Sequence, residues 1–330
     1  MAQAGYGHPV RRFTKACVPA VALLLLWACA TPEPAPRESL LARYPVERPF
    51  AESRFSTFGG LTLHYRTWTP AGEPATKILL LHAEGASTVT YRLLAPRLAE
   101  AGYAVVAIDL PGFGFSDTAL EFEHTLANRA GVLWSLLDRL DTEPNEFPPA
   151  DAWIVGGHGM GGRVATGMAL ERPARTAGLV LFATEVVGPQ RPRRGFWFPP
   201  VRWAWHAWLE NSVYTRDGVA ELLSSAYGRA ATDEEVDLYT APLLRPEMPS
   251  AYVQYARTDG EIDLNLDDLG APALLIWGER DEWIDSETAA ATAEALPAAT
   301  LEVFPDAHHL PMETHASATS EAIVRWIGAP

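Results

Sequence analysis

Cysteine is nearly absent from this chain of 330 residues: only Cys17 and Cys29 occur, both ahead of the first strand-like segment. A disulfide framework, a Cys-rich zinc site and thiol chemistry are therefore excluded from the folded part. Basic residues are also scarce, 26 Lys and Arg against 41 Asp and Glu, which leaves a formal net charge of -15. That balance opposes a polyanionic partner, so no nucleic-acid binding is expected. Neither a cofactor nor a metal is expected. What the chain has in quantity is apolar residues, 48% against 20% charged, enough to bury a full core.

Arg11, Arg12 and Lys15 precede an apolar stretch from Val18 to Trp27, the arrangement of an export signal and too short to span a bilayer comfortably. The stretch ends in Leu26-Trp27-Ala28-Cys29, which resembles the bacterial lipoprotein box, where the cysteine is acylated and becomes the new N-terminus. The resemblance implies that residues 1–28 are removed, that Cys29 carries lipid, and that the protein is held in a bacterial cell envelope. A competing small-x-small site at Ala28 and Ala30 would release a soluble exported protein instead. Residues 29–52 include Pro32, Pro34, Pro36, Pro45 and Pro49 and are expected to form an extended tether.

From residue 53 the pattern is one of alternating strands and helices. Phe55–Phe58 and Leu61–Trp68 flank Gly59-Gly60, a hairpin signal. Unbroken apolar runs follow at Ile78–Leu81, Ala104–Ile108, Ala152–Val155, Leu179–Phe182 and Ala273–Trp277, as in parallel strands covered on both faces. Between them, Tyr91–Ala101, Thr125–Leu140, Gly162–Glu171 and Ser286–Leu296 have helical spacing. This predicts an α/β fold with a mostly parallel central sheet and helices on both faces. About 90 residues separate Phe182 from Ala273, too many for a connection, so a helical cap is expected over about residues 186–268. Thr232 and Glu235 have the spacing of a capping box within it.

Gly157-His158-Gly159-Met160-Gly161-Gly162 follows the strand that begins at Ala152 and opens a helix. Strand, glycine-bounded turn and helix form the context of the G-x-S-x-G nucleophile elbow. With Leu81-His82, the segment Asp109–Asp117, Gly278-Glu279-Arg280-Asp281 and Ala307–Glu313 in the matching order, the chain resembles the cap-bearing, serine esterase- or lipase-like α/β-hydrolases over about residues 55–328. The resemblance implies the α/β-hydrolase fold. At its centre the chain departs: Gly159 stands where a nucleophile belongs and offers no hydroxyl, thiol or carboxylate.

By the same resemblance, Asp281 stands at the position of the acid and His308, five residues before Glu313, at that of the base. His309 and Glu185 are the alternatives. The Met160 N–H would form half of an oxyanion hole and the loop His82-Ala83-Glu84-Gly85 the other half. A carboxylate at Glu84 would oppose developing negative charge there, unless it points to solvent. Asp109, although at a strand's carboxyl end, lies in a loop that is structural in the family and is not expected to act in catalysis.

Arg191, Arg193, Arg194, Trp197, Trp203, Trp205 and Trp208 crowd the start of the cap. Either the tryptophans pack the cap on the main domain and line its pocket, or they face lipid. Their spacing predicts a core position for Trp203 and Trp208. Two functions are open. One is a degenerate hydrolase with a binding or scaffolding role; the other is a weak ester-type hydrolase using the His–Asp pair on an apolar acyl substrate.

Overall fold

In the computed structural model, residues 37–142, 151–187, 194–259 and 264–329 are described. The signal segment, Cys29, Arg191 and Arg193 lie outside them. Eight strands form one sheet: β1 (Ser53–Phe58), β2 (Leu61–Trp68), β3 (Lys77–Leu81), β4 (Ala104–Ile108), β5 (Trp153–His158), β6 (Thr176–Phe182), β7 (Ala273–Gly278) and β8 (Ala299–Phe304). Their order across the sheet is β1-β2-β4-β3-β5-β6-β7-β8. The β1–β2 and β2–β4 pairs are antiparallel and all the others parallel. Every residue of β3, β4, β5 and β7 is buried. Apolar runs without polar alternation have two covered faces, and helices supply the cover.

Among the described residues the α-helices are α1 (Arg37–Arg43), α2 (Leu94–Glu100), α3 (Leu126–Thr142), α4 (Met160–Glu171), α5 (Pro199–Trp208), α6 (Arg216–Tyr227), α7 (Asp233–Leu243), α8 (Met248–Thr258), α9 (Ser286–Ala295), α10 (Pro311–Thr314) and α11 (Ala316–Ile327). Helices α5 to α8 all fall between β6 and β7. Helix α7 starts on the capping box, with the Thr232 hydroxyl accepting from the Glu235 N–H and the Glu235 carboxylate accepting from the Thr232 N–H.

Residues 37–52, expected to belong to an extended tether, are part of the compact unit instead. The compact unit starts at Arg37, not at residue 53. Leu40 and Tyr44 are buried in a cluster with Phe115 and Ala241, and Phe50 packs against that cluster. Proline content marks a chain without regular structure, but the apolar residues between these prolines still find a surface to cover. Among the described residues, all eight strands and all the buried core residues belong to this unit, which therefore carries its own core.

Candidate active site

Strand β5 delivers the chain to a turn at Gly159, φ 51° and ψ -113°, from which α4 departs. The glycines on either side are sterically required. A β-carbon on Gly157 would strike the backbone of Gly161, and one on Gly161 the carbonyls of Leu81 and His82. The position between them is open: a β-carbon on Gly159 would have only the Ala83 Cβ within 4 Å, at 3.4 Å. The elbow thus keeps its shape and its room while lacking the side chain it exists to present. Met160 begins α4, so its N–H has no partner within the helix and remains at the positive end of the helix dipole.

The histidine that pairs with Asp281 is His309 and not His308. His309 is buried, and its Nδ1 lies 2.8 Å from Asp281 Oδ2. Asp281 is held in turn by the backbone N–H groups of Trp283, at 2.8 Å, and Ile284, at 3.0 Å, both on Oδ1. Every oxygen of this buried carboxylate is satisfied, which fixes both its rotamer and the imidazole it orients. The Trp283 ring stacks on His309 with centroids 4.7 Å apart. His308 turns the other way, onto Gly228 at the end of α6, where a β-carbon would overlap its ring. Gly228 is left-handed, φ 66°, and ends the helix. Glu185 has no part in the pair.

The other ring nitrogen of His309, which would face a nucleophile, instead meets a histidine. His309 Nε2 and His158 Nε2 are 3.1 Å apart. Because the Asp281 carboxylate can only accept, His309 Nδ1–H donates to it, and one of the two facing Nε2 atoms donates to the other. His158 Nδ1 is buried without a hydrogen-bond partner. Burial, with His309 and His82 adding their repulsion, holds the His158 pKa well below the usual histidine range. That depression keeps the His158 ring neutral.

On the oxyanion loop, Glu84 does not point to solvent as the sequence reading allowed. Its carboxylate accepts hydrogen bonds from Tyr252, at 2.5 Å, and Tyr255, at 3.1 Å, both on cap helix α8. These tyrosines hold Glu84 toward the cap. His82 Nδ1–H donates to the Ala83 carbonyl at 2.7 Å, while its Nε2 accepts from the Leu110 N–H at 2.9 Å. Asp109 is a structural anchor: fully buried, it accepts from His64 Nδ1 and from the N–H groups of Thr88 and Phe115.

A cavity of about 420 Å³ opens over this site. Ala83, Glu84, His158, His309 and Trp283 form its floor, and cap residues including Trp205, Trp208, Leu209, Tyr214 and Leu223 its roof. Of the tryptophans expected to line a pocket, Trp205 and Trp208 do so and Trp197 and Trp203 do not. The core expectation for Trp203 and Trp208 is also overturned, since they are 74% and 49% exposed. It is Trp205 that turns inward, against Phe196 and Tyr252. Sequence reasoning missed His158, whose place in the elbow motif was noted but given no role. It also missed Tyr252 and Tyr255, for which sequence distance left no signal.

A parallel sheet with an elbow after β5, an acid after β7 and a histidine after β8 defines the hydrolase class of α/β proteins. The chain belongs to the α/β hydrolase fold family, whose model matches residues 77–316. Among curated relatives, it is 28% identical to monoglyceride lipase of Homo sapiens, over 83% of this chain and 89% of the relative. It is 30% identical to the magnesium-chelatase 30 kDa subunit of Rhodobacter capsulatus, over 78% and 88%. Among solved structures, a probable hydrolytic enzyme from Pseudomonas aeruginosa superposes with TM-score 0.70 at 23% identity, covering 84% of this chain and 94% of that one.

Proposed function

We propose that this protein is an exported, lipid-anchored member of the family that binds an apolar, acyl-type small molecule and forms no covalent intermediate at its elbow. The observation that carries the reading is Gly159: the turn, the acid and the base are in place, and the one group that must bond to substrate is missing. The cavity supports the ligand class, because its walls are almost wholly aliphatic and aromatic. Monoglyceride lipase as a relative agrees with an acyl chain. The export signal and the acylated Cys29 rest on the sequence alone.

A second reading has one observation in its favour. Once His158 gives up its contact with His309 Nε2, the Asp281–His309 pair would draw a proton from a water above Gly159 and drive direct attack on an ester, a general-base route without a covalent step. Such a route forgoes a positioned nucleophile and would be slow.

Two measurements on the same preparation test these readings. A serine-directed fluorophosphonate should leave the wild-type protein unlabelled and label Gly159→Ser, and a fluorescent fatty acyl probe should bind the wild type. Turnover of activated esters by the wild type that disappears in His309→Ala would establish the second reading. Labelling of the wild type would overturn the first.

A further inference from the structure

Helix α5 is turned inside out. Val201, Arg202, Trp205 and His206 are its half-buried residues, while Pro199, Pro200, Trp203, Ala204, Ala207 and Trp208 are exposed. On a surface helix the solvent side is normally polar. Here the whole exposed side is apolar and uncharged, and the turn leading into it adds Trp197 and Phe198, exposed by 63% and 62%. Single exposed apolar residues need no explanation, but a contiguous aromatic strip of this kind does.

Three observations bear on what covers the strip. Its composition is one: tryptophan and phenylalanine on the exposed side, with Arg202 and His206 on the half-buried flanks and the Arg257 guanidinium 5.4 Å from the Trp197 ring centre. Amphipathic rings beside arginines suit the boundary between headgroups and acyl chains. Continuity is the second, because Trp208 belongs both to the strip and to the wall of the apolar cavity, so the strip runs into the cavity mouth. The third is chain length. Arg37, where the compact unit starts, is only eight residues beyond Cys29. Fully extended, such a segment reaches about 28 Å, so a lipid on Cys29 would keep the cap within reach of the same bilayer. No helix among the described residues is long and apolar enough to cross a membrane.

We propose that the exposed face of α5, with Trp197 and Phe198, seats the cap in the surface of a lipid bilayer and opens the cavity toward its acyl chains. The seat is independent of Gly159. Only the passage of a ligand through it rests on the function proposed above.

The test uses residues 37–330, the unit that carries its own core, and is therefore blind to any lipid on Cys29. Co-sedimentation with phosphatidylcholine vesicles and with vesicles containing phosphatidylglycerol is compared for the wild type, Trp197→Glu/Trp203→Glu and Leu120→Ser. Neither tryptophan lines the cavity, both are exposed, and Leu120 is an exposed residue outside the cap. Circular dichroism confirms that each variant is folded. The wild type and Leu120→Ser are expected to bind both kinds of vesicle, and the double variant to bind at least tenfold more weakly. Retention of vesicle binding by the folded double variant would overturn the seat, as would no wild-type binding to either vesicle. A concentration-dependent dimer that the double variant abolishes, without vesicle binding, would assign the face to a second copy of the chain. If vesicles bind but the acyl probe does not enter the cavity, the seat stands and the ligand-binding function fails.

Discussion

A β-carbon placed on Gly159 would sit 3.4 Å from the Ala83 Cβ, an ordinary van der Waals contact, so the elbow has room for the first carbon of a side chain and opposes it through its backbone. At φ 51° an L-residue is strained, at a cost of about 1 kcal/mol. Gly159→Ser should therefore lower stability by about that amount and gain fluorophosphonate labelling. Chemical denaturation and gel fluorescence measure the two effects. A folded variant that takes no label would mean that the oxyanion loop at Ala83 and Glu84 no longer supports a tetrahedral intermediate.

Within the Gly159→Ser background, neighbouring histidines should behave differently. His309→Ala removes the base held by Asp281 and is expected to abolish labelling at neutral pH. His308→Ala, which only strips a ring from the surface of Gly228, should leave the labelling rate within about threefold and lower stability slightly. Equal losses in the two variants would contradict the assignment of the base.

Acid should destabilise the fold through His124. Burial, aided by repulsion from Arg129, lowers the His124 pKa to about 3, and neither ring nitrogen has a hydrogen-bond partner. The unfolded chain takes up a proton near pH 6.5 that the folded chain refuses until near pH 3. Stability is accordingly lost as pH falls through that window, by up to about 1.4 kcal/mol per pH unit. His124→Phe keeps the edge-to-face contacts with Phe122 and Tyr255 and should flatten the slope between pH 6 and 4 in urea titrations. An unchanged slope would place the acid sensitivity elsewhere.

Glu313 should be among the costliest side chains to remove. Its buried carboxylate takes a hydrogen bond from Arg92 in the main domain and others from Tyr227 and Tyr239 on cap helices α6 and α7. Glu313→Ala removes the acceptor shared by a guanidinium and two phenols; Arg92 keeps the Val89 carbonyl and Glu235, and Tyr239 keeps Thr90, so the expected loss is about 3 kcal/mol. Thermal unfolding reads it directly.

The sheet was legible because buried parallel strands are written as short apolar runs, and five such runs match β3 to β7. The cap's first helix misled for the converse reason. Size and apolarity place tryptophan indoors, yet which side of α5 faces inward is decided by Phe196 and Tyr252 receiving Trp205. His308 and His309 could not be separated because they are adjacent in a loop without period, and Gly228, 80 residues earlier, takes the first ring and leaves the second for Asp281. The direction of Glu84 could not be fixed from the sequence because its partners Tyr252 and Tyr255 are 168 and 171 residues away. Loop contacts made across such distances leave no trace in local pattern.

The Glu313 knot also bears on how the molecule comes apart. A cap fastened only by apolar contact could fray alone, its amides exchanging with solvent while the sheet stayed closed. With one carboxylate shared between Arg92 below and two phenols above, lifting the roof removes two of its three side-chain donors. Cap and sheet are therefore expected to open together, so that in native-state hydrogen exchange the slowest amides of α6 and α7 exchange with the free energy of global unfolding.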